Sequence, residues 1–99
     1  MTADTEILLC CMLWAHDGEA LGLSVYEDRV LALVADHGGE VLQRAVSDGA
    51  EGRPHEVQLY RFPHQASLDA YLADPARLAL ADERDRTIAR TELFPVTLR

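Results

Sequence analysis

Apolar residues recur along this chain with two periods. In residues 6–14, EILLCCMLW, one alternating set is Ile7, Leu9, Cys11 and Leu13, and the other is Leu8, Cys10, Met12 and Trp14. Successive strand side chains point to opposite faces, so two apolar sets predict a strand buried on both sides. In residues 23–37, Leu23, Tyr26, Val30, Leu33, Val34 and His37 recur at helical spacing. Ser24 is placed to cap that helix with Glu27 completing a capping box, and Gly38-Gly39 stop it. EVLQRAV, 40–46, reads as a second strand, and SDGAEGRP, 47–54, as a polar loop with the composition of a mobile segment. HEVQLYRF, 55–62, is a third strand, with Val57 and Leu59 on one face and Gln58, Tyr60 and Phe62 on the other. Pro63 ends it. A helical region then starts near His64–Ser67 and carries Leu68, Tyr71 and Leu72. Pro75 restarts it after Asp74 as a possible cap, and it runs to about Ile88. TELFPVTL, 91–98, is a last strand, with Pro95 at an edge or bulge.

The resulting order, β-α-β-β-α-β, predicts a single α+β domain over residues 1–99 with the ferredoxin-like plan, a four-stranded antiparallel sheet with two helices on one face. Two helices cover one sheet face only, yet the first strand is apolar on both. A second copy presenting the same face is the simplest cover. The chain is therefore expected to form a homodimer with two sheets face to face, a dimeric α/β barrel.

Composition narrows the partners. A formal net charge of −8 argues against nucleic acid and against anionic membrane surfaces. EILLCCMLWA is about half the roughly 20 apolar residues of a membrane span. The acidic MTADTE before it lacks the basic start of a signal peptide. Cys10 and Cys11 are adjacent, point to opposite faces and have no third cysteine to join, which suits reduced thiols in the cytoplasm. All nine basic residues are arginine, so lysine Schiff-base chemistry, a lysine-anchored pyridoxal cofactor and a Walker-type phosphate loop are excluded. The arginine- and alanine-rich bias suggests a GC-rich bacterial genome.

The titratable residues offer several candidates. His55 and His64 are nine residues apart, about 30 Å of extended chain at about 3.3 Å per residue, and on opposite faces. One metal ion cannot take both, and neither a metal nor a cofactor is expected. His37 ends the apolar stripe of the first helix, as a packed histidine at a helix C-terminus or as a general acid–base. His16 follows Trp14 on one face of the first strand, at the strand's exit, either lining a cavity mouth or simply in solvent. Asp85 falls seven after Leu78 and three before Ile88, directing a carboxylate to the core, with Arg84 on its flank and Arg44, Arg61 or Arg90 as partners. Either this is a salt-bridge network, or Asp85, His37 and an arginine hold or deprotonate a small acidic substrate. Glu56, Gln58 and Tyr60 form a polar row that faces the dimer interior if Val57 and Leu59 face the helices. It would then serve inter-subunit hydrogen bonds, Glu56 opposite a partner arginine, or line a ligand-holding barrel.

YEDRVLALVADHGGEVLQR (26–44) and PHEVQLYRFPHQASLDAYLADPARLALADERDRTIARTE (54–92) resemble a family of small uncharacterised bacterial proteins of the dimeric α/β-barrel, ferredoxin-like superfamily. The resemblance rests on YED, HGG, EV…F and ERDRTIARTE. In the family pattern a serine follows Phe-Pro where His64 stands, and an acidic residue is common at the position of Arg61. That superfamily includes cofactor-free oxygenases of aromatic polyketides, muconolactone isomerase-like enzymes, haem-degrading enzymes and ligand-binding regulator domains. The resemblance therefore implies a small-molecule-binding protein or a cofactor-independent enzyme of monooxygenase or isomerase type. Its cavity would lie between helices and sheet, with His37 and Asp85 as acid–base residues and Arg84, Tyr60, Glu56, His16 and Trp14 as substrate contacts. The rival expectation is a non-catalytic structural or interaction dimer.

Overall fold

The computed structural model describes residues 6–99, so most of the acidic opening segment, residues 1–5, lies outside the described residues. Its strands are β1 (Ile7–Ala15), β2 (Glu40–Val46), β3 (Glu56–Phe62) and β4 (Ile88–Pro95). They form one antiparallel sheet in the order β2-β3-β1-β4. Helix α1 (Ala20–Leu31) joins β1 to β2, and α2 (Gln65–Leu72), α3 (Pro75–Leu78) and α4 (Ala81–Thr87) join β3 to β4. This is the ferredoxin-like β-α-β-β-α-β plan, its second helical layer cut into three pieces.

The core lies between the helices and one sheet face. Leu9, Cys11 and Leu13 of β1 and Tyr60 and Phe62 of β3 meet Leu23, Tyr26, Val30 and Leu31 of α1 and Leu68 and Tyr71 of α2. The other set of β1, Leu8, Cys10, Met12 and Trp14, faces away, beside Val57 and Leu59 of β3 and Phe94 of β4. Among the described residues no helix covers that face, and β1 is apolar on both sides as its sequence predicts.

The third strand is turned over relative to the sequence reading. Glu56, Gln58, Tyr60 and Phe62 are the buried row facing the helices, at 0, 1, 4 and 0% exposure, while Val57 and Leu59 are on the uncovered face. Alternation defines the two rows but not their direction, and a carboxylate in the covered row is costly unless paired. Here it is paired, as described below.

Helix α1 starts three residues earlier than its apolar spacing suggests, and Ser24 is inside it rather than at its cap. It ends at Leu31, and a separate 3-10 turn, Val34–His37, carries the chain on. Gly38 closes that turn at φ 77°, a left-handed conformation that glycine adopts without strain. Gly39 then passes so close to the core that a Cβ there would meet Val34 at 2.7 Å, Phe62 at 2.8 Å and the Arg61 carbonyl at 2.9 Å.

Pro63 and Pro75 act as the sequence indicates. His64 is the N-cap of α2, its ring accepting from Ser67 N–H, the helix-capping task that a serine commonly takes. Asp74 caps α3, its carboxylate accepting from Ala76 N–H at 2.8 Å. A further break at Ala79 and Leu80 restarts α4, and β4 begins at Ile88, directly after it. Pro95 ends β4 on the sheet edge. The 47–54 loop is held rather than loose: Ser47 Oγ donates to the Pro54 carbonyl at 2.6 Å, and the Trp14 indole N–H donates to the Gly52 carbonyl at 2.8 Å.

Candidate functional site

The buried row of β3 meets α1 through a chain of polar contacts. The Gln58 amide N–H2 donates to Glu27 Oε1 and to Glu56 Oε2, both at 2.8 Å. Glu56 Oε2 also accepts from Arg44 Nε at 2.6 Å, and its Oε1 accepts from Ser24 Oγ at 3.0 Å. Arg44, on β2, donates onward to Asp28 Oδ1 at 2.6 Å. Two carboxylates flank the amide, so its nitrogen must face them and its carbonyl must face elsewhere. Bonding to Glu56 pushes the Arg44 pKa up, so this guanidinium stays charged. Glu56 has its counter-charge inside its own chain.

Glu27 is different. It is 5% exposed and its contact is a neutral amide. Burial raises its pKa, the Gln58 hydrogen bond opposes the rise, and the Glu56 charge adds to it. A carboxyl whose pKa is raised by burial is, once ionised, a stronger proton acceptor than an exposed one.

A cavity of about 50 Å³ opens beside this carboxyl, between helices and sheet. Glu27, Gln58, Tyr26, Tyr60, Tyr71 and Cys11 are among its inner walls, and Arg77, Arg84, Thr91 and Leu93 reach it from α3, α4 and the edge strand. Burial pushes the Tyr71 pKa up to about 12 and raises those of Tyr26 and Tyr60, so all three phenols stay protonated at neutral pH. Burial also pushes the Cys11 thiol up to about 12, so it is not a nucleophile. The Arg77 guanidinium lies 5.2 Å over the Tyr71 ring. The cavity thus combines one titratable carboxyl, protonated phenols and arginine cations.

The residues singled out in the sequence are only partly brought together. Tyr60 and Arg84 line the cavity, and Glu56 joins it through Gln58. Asp85 does not: its side chain is 77% exposed, with Arg84 Nη1 at 3.9 Å. The expected stripe counted from Leu78, which is itself exposed, across a helix break that shifts the phase. After the restart, Leu80, Glu83, Arg84, Thr87 and Ile88 are the covered or half-covered positions. His37 pairs not with Asp85 but with Asp74, Nε2 to Oδ2 at 2.7 Å, and meets the Tyr71 ring edge-on. The His37 contact and the Ala76 N–H hold the Asp74 carboxyl below its ordinary range. Trp14 is on the uncovered sheet face with the Arg90 guanidinium 4.3 Å over its ring, and His16 is exposed beyond it, so neither borders this cavity. His55 accepts the Ala15 N–H at 3.1 Å. Among the described residues no group of three His, Cys, Asp or Glu is placed to hold a metal ion, and no helix is long and apolar enough to cross a membrane.

Glu27, Gln58, Tyr26 and Arg77 were not singled out as ligand contacts by the sequence. Glu27 had a readable signal: it falls four after Leu23, three before Val30 and four before Leu31, on the apolar stripe. Nothing in the pattern near Arg77 marks it, because the helix carrying it is only four residues long.

No protein-family model matches the sequence, and no curated protein matches it. Solved structures match its ferredoxin-like fold. PA3566 from Pseudomonas aeruginosa superposes with a TM-score of 0.74 at 14% identity, over 98% of this chain and 97% of that one. SnoaB, a cofactor-independent oxygenase from Streptomyces nogalater, gives 0.71 at 17% identity, over 96% and 94%. A dimeric protein of unknown function and ferredoxin-like fold from Bacteroides fragilis gives 0.70 at 11% identity, over 95% and 97%. At such identities the likeness establishes the fold.

Proposed function

We propose that this chain is a cofactor-independent enzyme that moves protons on a small enolisable molecule held between helices and sheet. The observation that carries this reading is Glu27, a buried carboxyl with a raised pKa on the wall of a cavity that also receives arginines. Glu27 as carboxylate takes a proton from a carbon next to a carbonyl. The electron pair moves to the carbonyl oxygen, where arginine and phenol donors stabilise the enolate. Return of the proton to another carbon completes an isomerisation with no other reactant. With dioxygen as oxidant, the same enolate is the starting point of oxygenase chemistry, the activity named for SnoaB.

The test is deuterium wash-in from D2O into the methyl group of pyruvate, followed by proton NMR. The wild type should accelerate exchange and Glu27→Gln should lose at least about 100-fold of that acceleration. The rate should rise with pH as Glu27 ionises. Equal rates for the two proteins would reject Glu27 as the base.

The reading includes a cytoplasmic homodimer packed through the uncovered sheet face. Apolar Leu8, Cys10, Met12, Val57 and Leu59 on that face support it, as does the dimeric state described for the Bacteroides neighbour. Both cysteines are free, which suits a reducing compartment.

A second reading, a structural dimer without ligand, has one observation in its favour. The cavity of about 50 Å³ is far below the roughly 300 Å³ of pockets that enclose a whole drug-sized ligand. In that case no small enolisable acid would shift the NMR resonances of the cavity residues.

A further inference from the structure

Two buried side-chain polar atoms among the described residues have no hydrogen-bond partner, Gln58 Oε1 and Arg77 Nε. Both residues line the cavity beside Glu27. Native chains leave few such atoms unpaired, because each forfeits its hydration on burial. One is an acceptor and the other a charged donor.

Neither can turn away cheaply. The Gln58 N–H2 is committed to Glu27 and Glu56, so flipping the amide would set its carbonyl against two carboxylates. The Arg77 Nη1 donates to the Leu72 carbonyl at 3.3 Å, and Tyr71 backs the guanidinium.

We infer that the cavity receives the head group of a small hydroxylated organic acid, a 2-hydroxy acid or the enol form of a 2-keto acid. Its anionic oxygen accepts from Arg77 Nε, and its hydroxyl donates to Gln58 Oε1. A plain carboxylate would leave Gln58 unpaired, and a neutral hydroxylated amide would offer Arg77 no charge. A volume of about 50 Å³ admits the head group alone. Thr91, Leu93 and the half-exposed Arg84 form the rim through which the rest of the molecule leaves. This inference rests on the cavity being the ligand site and adds what that site selects.

The test is a proton–nitrogen NMR titration of the full chain with glycolate, acetate and glycolamide. Glycolate should bind the wild type at least about tenfold more tightly than either analogue, a difference of about 1.4 kcal/mol. Arg77→Met should weaken glycolate by a similar factor. Gln58→Met should remove the preference for glycolate over acetate. The wild-type comparison stands even if that variant misfolds. Equal binding of glycolate and acetate by the wild type would overturn the inference, as would a high-resolution crystal structure in which an ordered water bridges the two atoms and glycolate does not displace it. If pyruvate exchange persists while the glycolate preference is absent, the head-group assignment falls and Glu27 chemistry stands. If no acid binds and no exchange occurs, both fall.

Discussion

Glu27 is a carboxyl held by burial in surroundings that its ionised form does not prefer. Burial holds its proton more tightly in the folded chain than in the unfolded one. The linked stability is fully present below the ordinary glutamate value of 4.5 and is lost as pH rises through the raised value. Glu27→Gln cannot ionise. Its urea midpoint should therefore gain on the wild type across that window and hold the gain at higher pH. A constant difference between the two from pH 4 to 8 would show that desolvation does not govern this carboxyl. Glu56 makes the opposite case, a fully buried carboxylate with its arginine in place. Arg44→Ala should cost about 3 kcal/mol in urea unfolding, because it leaves that carboxylate without a counter-charge. The pair Arg44→Met with Glu56→Leu should recover most of the loss. At this scale little of the site was legible. Charge at Glu27 and Glu56 was visible, but which charge is buried depends on partners from β2 and α1 that lie far off in sequence.

Among the elements, those with strong local signals were readable. The second strand has the bounds read from EVLQRAV, and Pro63, Asp74 and Pro75 punctuate the helices as their chemistry requires. Two misreadings have separate origins. Helical phase propagates only through an unbroken helix, and the break at residues 79–80 carries neither glycine nor proline to mark it, so Asp85 was placed inside by counting across it. Glu27 was read as part of a cap because the start of the first helix was set at Leu23–Ser24 rather than at Ala20. The joint between the 3-10 turn and β2 is tight. Gly39→Ala should destabilise by about 1–3 kcal/mol in thermal or urea unfolding, since two of the three blocking contacts are the Phe62 ring and a backbone carbonyl. A neutral outcome there would mean that the 3-10 turn gives way, with β2 shifting along β3.

For the whole molecule, the expectation of a dimer comes from one strand. Nine consecutive apolar residues in β1 exceed what one helical layer can cover, and this count needs no knowledge of the rest of the chain. Which row of β3 faces outward was not legible, since both rows alternate equally well. Sedimentation should give a dimer at micromolar concentration, and Leu59→Glu on the uncovered face should shift it to monomer with the helix-side core intact. Each chain carries a formal charge of −8, so raising salt should tighten the dimer by screening repulsion. A wild-type monomer at millimolar concentration would reject face-to-face packing.

The position of the Gln58 amide between two carboxylates also bears on how this chain can change over generations. Glutamine and glutamate codons differ by a single base, so Gln58→Glu is always close at hand. Here it would set three carboxyl groups in contact around one arginine, all but that arginine buried. The same exchange at Glu27 or Glu56 lowers the charge instead. Mutations at these positions should therefore be strongly non-additive: Gln58→Glu harmful alone and tolerated once Glu27 has become glutamine. Relatives of this chain would be expected to vary at 27, 44, 56 and 58 as a set.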